Sequence, residues 1–343
     1  MAHYLVTGHT GFKGAWLTLL LKSRGHEVSG LALDPLPGSL FERAHISSDL
    51  THDFRVDVRN RDGVVDSFQQ AKPDVVIHMA AQALVREGYR DPIGTYETNV
   101  NGTLHVLQAS DATDSVTSQL IVTTDKVYRD DGLRRPYVES DPLGGKDPYS
   151  ASKAIADILA QEYFHNERTK PGAIARAGNV IGAGDFSRER LIPDIIRAHQ
   201  SQQTLLVRYP EAIRPWQHVL DCLNGYLVLE GHVSTGTTGE WNFGPEPGDL
   251  ASVKDVVGIS ADILQCSIGT ALARDTDSFV EGEYLVLDSS LAKQKLGWEG
   301  KIDFSLAVAW ALGGLGLEPG ALRGEIESQI LEFEKFSVAR SVG

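Results

Sequence analysis

The sequence has little of what a metalloprotein, a membrane protein or a disulfide-rich protein needs. Its 343 residues include only two cysteines, Cys222 and Cys266, which form neither a metal-binding pattern nor a disulfide framework. The strongest apolar run near the start, residues 15–21, is far too short to span a bilayer. That run also follows a glycine-rich segment instead of the basic region of a signal peptide. We therefore expect a reduced, cytoplasmic protein with no metal site.

Positive charge is scarce as well. The chain carries 32 basic and 46 acidic residues, which gives a formal net charge of −14. Nucleic acids and anionic membranes bind basic surfaces, so we expect neither as a partner. A small anionic ligand is not excluded, because it responds to the local field of a cleft. The composition, 42% hydrophobic and 23% charged, is that of an ordinary soluble globular protein.

The first half of the chain alternates short apolar runs with amphipathic stretches. We predict strands at residues 4–7, 27–33, 74–79 and 119–124, and helices at residues 12–24, 95–109 and 149–163. Alternation of this kind predicts an α/β fold with a Rossmann-like, doubly wound parallel sheet. The second half is less regular and richer in Gly, Pro and Trp, which indicates a smaller C-terminal substrate-binding region.

A glycine-rich loop follows the first predicted strand. The segment VTGHTGFKG places Gly8, Gly11 and Gly14 between that strand and a helix, where backbone N–H groups can approach a pyrophosphate. Asp34, near the end of the second strand, could accept hydrogen bonds from the adenosine ribose and repel a 2′-phosphate. The pattern favours NAD over NADP. A plain strand–helix turn and a solvated loop carboxylate are the alternatives.

Tyr149 and Lys153 form a Tyr-x-x-x-Lys pair in PYSASK. On a helix, this spacing puts both side chains on one face. A phenol with a pKa of about 10 is a poor base at neutral pH. A nearby ammonium and a positive nicotinamide would lower that pKa, so that Tyr149 could take a proton from a sugar hydroxyl while hydride leaves the same carbon. The alternative is a solvated helix face.

Longer segments resemble a known family. The Gly-x-x-Gly-x-x-Gly spacing resembles that of the extended short-chain dehydrogenases/reductases. TGHTGFKGAWL, PGSLFERA, HMAAQALVR, TTDKVY, DPYSASK, RAGNVIGAGD, RLIPDIIRA, AIRPWQHV and WNFGP resemble its CDP-glucose 4,6-dehydratase branch. The resemblance runs from about residue 3 to 247 and resumes at EYLVLDSSLAKQKLGW. It implies an NAD-binding domain of residues 1–175 plus about 216–245, and a nucleotide-sugar-binding region of about 176–215 and 246–335.

The resemblance also implies two sets of binding residues. Asp57 would meet the adenine amino group, and residues 78–82 would run beside the pyrophosphate and the nicotinamide ribose. Guanidinium groups suit phosphate oxygens and would give an acidic protein a local positive field. The NAD set is Gly8, Thr10, Gly11, Phe12, Gly14, Asp34, Asp57, Val58, His78, Ala80, Ala81, Gln82, Asn99, Thr123, Tyr149 and Lys153. The nucleotide-sugar set is Arg86, Asn179, Arg190, Leu191, Arg214 and Asn242.

The Thr124-Asp125-Lys126 triplet is the part of the sequence that indicates the type of reaction. By the resemblance, Thr124 would hydrogen-bond the reacting hydroxyl and Asp125 would be the acid. Oxidation at C4 of a hexose makes the C5 proton acidic, so a base can remove it while an acid protonates the departing C6 hydroxyl. Hydride then returns to C6. Lys126 could be that base if its pKa is depressed. Alternatively, Lys126 merely pairs with Asp125.

Several points stay open from the sequence. Lys146 and the stretch 252–283 depart from the branch pattern. The nucleoside of the sugar nucleotide could therefore be cytidine, thymidine, uridine or guanosine. A C4 epimerase is a competing hypothesis, and the Asp125-Lys126 pair argues against it. A catalytically silent dinucleotide-binding regulator is another, and the presence of Tyr149 and Lys153 argues against it. By analogy with the fold, we expect a homodimer formed through two helices.

Overall fold

The protein is described by a computed structural model covering residues 1–165, 169–187, 190–272 and 284–340. Its strands are β1 (His3–Thr7), β2 (Glu27–Ala32), β3 (His52–Arg55), β4 (Val75–His78), β5 (Ser118–Val122), β6 (Gly172–Ala177), β7 (Val180–Ile181), β8 (Leu205–Val207), β9 (Ile213–Arg214), β10 (Gln217–His218), β11 (Glu240–Phe243), β12 (Ala251–Ser252) and β13 (Thr270–Leu272). Its α-helices are α1 (Phe12–Ser23), α2 (Leu40–Arg43), α3 (Arg61–Ala71), α4 (Val85–Arg90), α5 (Pro92–Tyr96), α6 (Gly102–Asp111), α7 (Pro148–Phe164), α8 (Leu191–Ser201), α9 (Val219–Val233), α10 (Val253–Ile263), α11 (Ser290–Leu296), α12 (Phe304–Leu312) and α13 (Pro319–Arg340).

Seven strands form one parallel sheet in the order β3-β2-β1-β4-β5-β6-β11. The chain reverses its direction of winding between β1 and β4, which is where such sheets bind a dinucleotide. Because the strands are parallel, the loops after β1, β4, β5 and β6 all leave the same edge of the sheet. The predicted Rossmann-like fold is therefore confirmed, with the predicted strands in place.

Both faces of the sheet are covered, as the continuous apolar strands predict. Helices α1 and α9 pack on one face, and α3, α6 and α7 pack on the other. Side chains alternate accordingly: Val6 joins the larger core, whereas Leu5 joins the smaller one with Leu31, Val76 and Val106. Each face thus buries its own apolar layer, which fixes the register of the strands.

One predicted helix differs from its observed form. Residues 95–109 were expected to be a continuous helix, but a π-helical turn, Glu97–Asn101, separates α5 from α6. Asn99 lies in that turn, and its side chain is fully buried. Such turns interrupt helices mostly at functional sites.

The second half builds a smaller region beside the sheet. It contains the short pairs β7–β10, β9–β12 and β8–β13, with α8, α10 and α12 around them. The larger core continues from the sheet into this region through Trp216, Val256 and Trp310. The domain boundaries implied by the sequence stay a prediction. Within the described residues, no helix is both long and apolar enough to cross a membrane, and no cluster of three metal-binding side chains occurs.

Candidate active site

The glycine-rich loop joins β1 to α1 at the switch point of the sheet. Gly8 has φ +75°, and a Cβ there would lie 2.9 Å from the backbone of Ala80 after β4. Gly11 caps α1 without a side-chain hydrogen bond, Phe12 is the first helical residue, and Gly14 is buried in the first turn. The loop thus presents a helix N-terminus and a close backbone approach, which suit a pyrophosphate.

The adenosine end is open to solvent. Asp34 has a side chain 88% exposed, with Arg55 Nε 4.0 Å from its Oδ1. Thr10 Oγ1 donates to the Leu33 carbonyl at 3.1 Å, which ties the glycine loop to the segment bearing Asp34. Asp57 accepts a bond from Arg59 Nη2 at 2.6 Å, and this bond lowers the pKa of the Asp57 carboxyl. Asp34 and Asp57 thus follow the neighbouring parallel strands β2 and β3 at the same edge of the sheet, and their contacts with a ribose and an adenine stay predictions.

The segment after β4 is held by buried polar bonds. His78 is fully buried, and its Nδ1 and Nε2 lie 2.7 and 3.0 Å from the hydroxyls of Thr7 and Thr103. Burial lowers the pKa of His78 to about 3, so the ring is neutral. Gln82 N donates to Asn99 Oδ1 at 2.8 Å, and Asn99 Nδ2 donates to the Gln82 carbonyl at 3.0 Å. Ala80 and Ala81 are thereby fixed beside the glycine loop.

Asn99 also connects this segment to the catalytic helix. Its Nδ2 donates to Ser152 Oγ at 2.8 Å, on α7 between the predicted catalytic residues. The observed side-chain bonds of Asn99 are all made inside the protein. Sequence reasoning assigned Asn99 to cofactor binding, and the structure gives it the part of a clamp under the cofactor loop.

Tyr149 and Lys153 lie on α7, whose start is set by the Asp147 cap, with Oδ1 accepting from Ser150 N at 3.0 Å, and by Pro148. Lys153 Nζ is buried and donates to the Val122 carbonyl at 2.8 Å. Burial, and then the charge of Lys13, lowers the pKa of Lys153 to about 8. Burial raises the pKa of Tyr149 to about 12, although a hydrogen bond to Thr124 opposes it.

The turn that bears the predicted acid and base, Asp125 and Lys126, is called the acid–base segment. It follows β5 as a single 3-10 turn, Asp125–Val127. Thr124 caps the turn: its Oγ1 accepts from Lys126 N at 3.3 Å and donates to Asp125 Oδ1 at 2.9 Å. Asp125 is only 3% exposed. Burial raises the pKa of its carboxyl, and the charges of Lys126 and Arg214 only partly oppose this effect. Asp125 is thus suited to hold a proton, and Lys126 is half-buried beside it.

The predicted substrate residues divide into two groups. Arg190, the cap residue of α8, lowers the pKa of Tyr149 through its charge, and Arg214 acts in the same way on Asp125. Positive charge therefore lies beside the catalytic groups. Leu191 begins α8, Asn179 lies half-buried between β6 and β7, and Arg86 lies half-buried in α4.

Asn242, which was predicted to contact the substrate, is hydrogen-bonded inside the protein. It is fully buried on β11. Its Oδ1 accepts from the Tyr128 hydroxyl at 2.7 Å, and its Nδ2 donates to the Tyr137 carbonyl at 3.0 Å. These bonds use one hydrogen of Nδ2 and one lone pair of Oδ1, so Asn242 ties β11 to residues 128 and 137, and its contact with a sugar stays a prediction.

Sequence reasoning missed two residues of the glycine-rich loop. His9 is fully buried, with Nε2 2.8 Å from Asp53 Oδ1, and this contact anchors the loop to β3. Lys13 Nζ donates to the Tyr226 hydroxyl at 3.1 Å and contributes to the lowered pKa of Lys153. A signal was available for Lys13, because it stands inside the VTGHTGFKG motif. Nothing in the sequence around Asp53 indicates that it contacts His9.

The cradle at Gly8, the uncapped start of α1 and the exposed Asp34 fit a bound dinucleotide. The chain belongs to the NAD dependent epimerase/dehydratase family, whose pattern matches residues 4–244. Its cofactor is therefore NAD, as the sequence predicted.

Individual relatives narrow the comparison. The chain is 40% identical over 306 residues to a CDP-glucose 4,6-dehydratase of Salmonella typhimurium, covering 85% of this chain and 84% of that protein. It is 29% identical to a dTDP-glucose 4,6-dehydratase of Xanthomonas campestris, covering 94% and 97%. The UDP-glucose 4-epimerase of Bifidobacterium longum, solved with NAD+ and UDP, shares the fold with a TM-score of 0.80 at 21% identity, covering 93% and 99%. The resemblance to the CDP-glucose 4,6-dehydratase branch is thus confirmed.

Proposed function

We propose that the protein converts CDP-D-glucose to CDP-4-dehydro-6-deoxy-D-glucose by NAD-dependent loss of water. The observation that carries this proposal is the placement of Asp125. Its carboxyl is buried, has a raised pKa and is bonded to Thr124, which also bonds Tyr149. A carboxyl that binds its proton more tightly than usual thus lies beside the group proposed to react at C4, where a departing C6 hydroxyl needs a proton.

Each residue has one task in this proposal. NAD, when bound, supplies the acceptor and donor of the hydride. Tyr149, as a phenolate stabilised by the charge of Lys153, takes the proton of the C4 hydroxyl as C4 becomes a carbonyl. Lys126 removes the C5 proton, while Asp125 gives its proton to the C6 hydroxyl, which leaves as water. Hydride delivered to C6, with a proton returned to C5, completes the product, so the net change is the loss of one water.

The positive charge of the site supports an anionic substrate. The charges of Arg190 and Arg214 act on Tyr149 and Asp125, so a sugar held there by its pyrophosphate would have C4 to C6 at the catalytic groups. This local field works against the overall charge of −14.

Product masses test the proposal. The purified protein is incubated separately with CDP-, dTDP-, UDP- and GDP-glucose. Loss of one water from CDP-glucose alone would support both the reaction and the base. Loss of water from another sugar nucleotide alone would overturn the substrate, and an isomer of unchanged mass would indicate an epimerase. Bound NAD with no conversion of any would indicate a silent regulator.

Lys126→Ala tests the base separately. If Lys126 takes the C5 proton, the variant oxidises C4 but releases no water, and reduced nicotinamide accumulates at 340 nm. If Lys126 only pairs with Asp125, water loss continues at nearly the wild-type rate. Lys146→Ala, an exposed lysine paired with Asp130 at 2.7 Å, is the matched control.

We also propose a cytoplasmic homodimer. Ile93 on α5 and Ile155 and Ile158 on α7 are 71%, 44% and 52% exposed, and the two helices pack against each other. Apolar side chains grouped on neighbouring helices favour burial against a second copy. Ile158→Asp should shift the sedimentation mass toward the monomer, whereas Ile263→Asp, on α10, should leave it unchanged. A wild-type monomer at micromolar concentration would contradict this proposal.

A further inference from the structure

A fully buried ion pair lies behind the acid–base segment. Arg176 on β6 and Asp157 on α7 have side chains 1% and 0% exposed, with Nη2 to Oδ1 2.6 Å and Nε to Oδ2 2.9 Å. The two residues face each other as a bidentate fork. None of the steps proposed above uses either of them.

Two further hydrogen bonds of the pair reach the two ends of one short segment. Thr123 Oγ1 donates to Asp157 Oδ2 at 2.8 Å, immediately before Thr124. Arg176 Nη1 donates to the Tyr128 hydroxyl at 3.0 Å, immediately after the 3-10 turn. The pair therefore holds the chain on each side of the residues proposed as acid and base.

Asn242 completes what we call the Arg176 network, which consists of Thr123, Tyr128, Asp157, Arg176 and Asn242. The Tyr128 hydroxyl donates a hydrogen bond to Asn242 Oδ1 at 2.7 Å. Arg176 Nη1 also donates to the Glu139 carbonyl at 2.9 Å. Asn242 stands opposite Arg176 in the register of β11 and β6. The network thus spans two strands, the catalytic helix and the acid–base segment.

Stability alone is a weak reason for such a pair. Removing two charges from water is costly, and a well-packed apolar pair at such a site is often equally stable or more so. A satisfied buried network does, however, hold its members in one arrangement. Apart from a bond from Gln161 Nε2 to Asp157 Oδ1 at 2.8 Å, its side-chain bonds outside the pair end on residues that border the acid–base segment or support them.

We propose that the Arg176 network positions Asp125 and Lys126 for the elimination of water, while oxidation at C4 depends on Tyr149 and Lys153. This inference rests on the proposed function. Its residues are positioning residues, because none of them touches the reacting atoms. The direct partners of Tyr149 and Lys153, Thr124 and the Val122 carbonyl, are not themselves members of the network. Loss of the hydrogen bonds of the Tyr128 hydroxyl should therefore slow the loss of water more than the oxidation at C4.

Tyr128→Phe is the sharpest variant, because substitution of Arg176 or Asp157 would leave a buried charge and could unfold the protein. It removes one hydroxyl and leaves the ring in place. Tyr137→Phe is the matched control: its ring stacks on Tyr128 with centroids 5.0 Å apart and planes at 5°, and it gives the network only its backbone carbonyl. Equal melting temperatures would exclude a general loss of folding.

Two readouts separate the outcomes. Amide hydrogen exchange of residues 123–128, measured without substrate, should be faster in Tyr128→Phe and unchanged in Tyr137→Phe. With the sugar nucleotide that the wild type dehydrates, Tyr128→Phe should lower kcat about tenfold with little change in KM. Reduced nicotinamide should accumulate at 340 nm during turnover of that variant only.

The outcomes for the two proposals are distinguishable. If the wild type dehydrates a sugar nucleotide and both variants match it in exchange and turnover, the inference is overturned and the proposed function stands. If the wild type dehydrates none, the proposed function fails. Amide hydrogen exchange still tests the inference in that case. Faster exchange of residues 123–128 in Tyr128→Phe alone supports their positioning by the network, and equal exchange in the two variants overturns it.

Discussion

The two ends of the active site use carboxylates in opposite ways. At the adenosine end, Asp34 is 88% exposed, and the pKa of Asp57 is lowered by its bond to Arg59. At the catalytic end, Asp125 is 3% exposed and burial raises its pKa. An exposed carboxylate works through its charge and its hydrogen bonds, with weak, salt-screened effects. A buried carboxyl with a raised pKa, such as that of Asp125, is suited to transfer a proton, and its effects on rate are large.

Asp125→Asn would break the catalytic end of this comparison and should have the largest effect. The amide keeps the shape and can still accept the bond from Thr124 Oγ1, but it cannot give a proton to a leaving hydroxyl. Water loss should fall about 10²- to 10⁴-fold. Oxidation at C4 should persist, so rapid mixing would show reduced nicotinamide at 340 nm.

Asp57→Asn serves as the comparison variant at the other end. It should weaken NAD binding in calorimetry and leave water loss at saturating NAD nearly unchanged. Equal losses of water release in the two variants would contradict the division between the ends.

A pH profile should sharpen the comparison with an effect of intermediate size. Burial lowers the pKa of Lys153 to about 8, so raising the pH through that value removes the positive charge that stabilises the Tyr149 phenolate. Lys153 carries its charge below this pKa, so activity should be lost on the alkaline side of the profile. We expect kcat/KM to fall by up to about tenfold per pH unit above about pH 8.

The adenosine end supplies the control for this profile. Asp57 has a lowered pKa and stays ionised throughout that range, so the affinity for NAD should change much less between about pH 6 and pH 9. Parallel changes in kcat/KM and NAD affinity would indicate a common conformational cause instead of the titration of Lys153.

The parts of the site that the sequence predicted are those encoded within short segments. The glycine-rich loop, the Tyr149–Lys153 spacing and the alternation of strands and helices each need no more than one element and its neighbours. The family, the NAD cofactor and the Rossmann-like sheet are accordingly confirmed. The roles of individual residues in binding and catalysis stay predictions.

What could not be predicted depends on pairing between distant segments. Arg176 meets Asp157 only because β6 and α7 pack together, and neither residue stands in a recognisable motif with the other. The π-helical turn that buries Asn99 has no local signal, since residues 95–109 have ordinary helical spacing. Asn242 stands in WNFGP, but its neighbours Tyr128 and Tyr137 come from another part of the chain.

Asp34→Asn tests the exposed end and should have the smallest effect. Removing one negative charge should strengthen NADP binding and weaken NAD binding by up to about fivefold, because solvent screens an exposed charge. Arg55 lies 4.0 Å from the Asp34 carboxylate and stays bonded to Asp53 at 2.7 Å, so the substitution would leave its positive charge in place for a 2′-phosphate. Calorimetry at low and high salt measures both affinities, and the difference should shrink with salt. Glu27→Gln is the matched control, since Glu27 is an exposed carboxylate at the opposite end of the same strand. Equal NADP affinities in the two variants would show that Asp34 does not set the preference, whereas a change far above fivefold would mean that cofactor binding encloses this end.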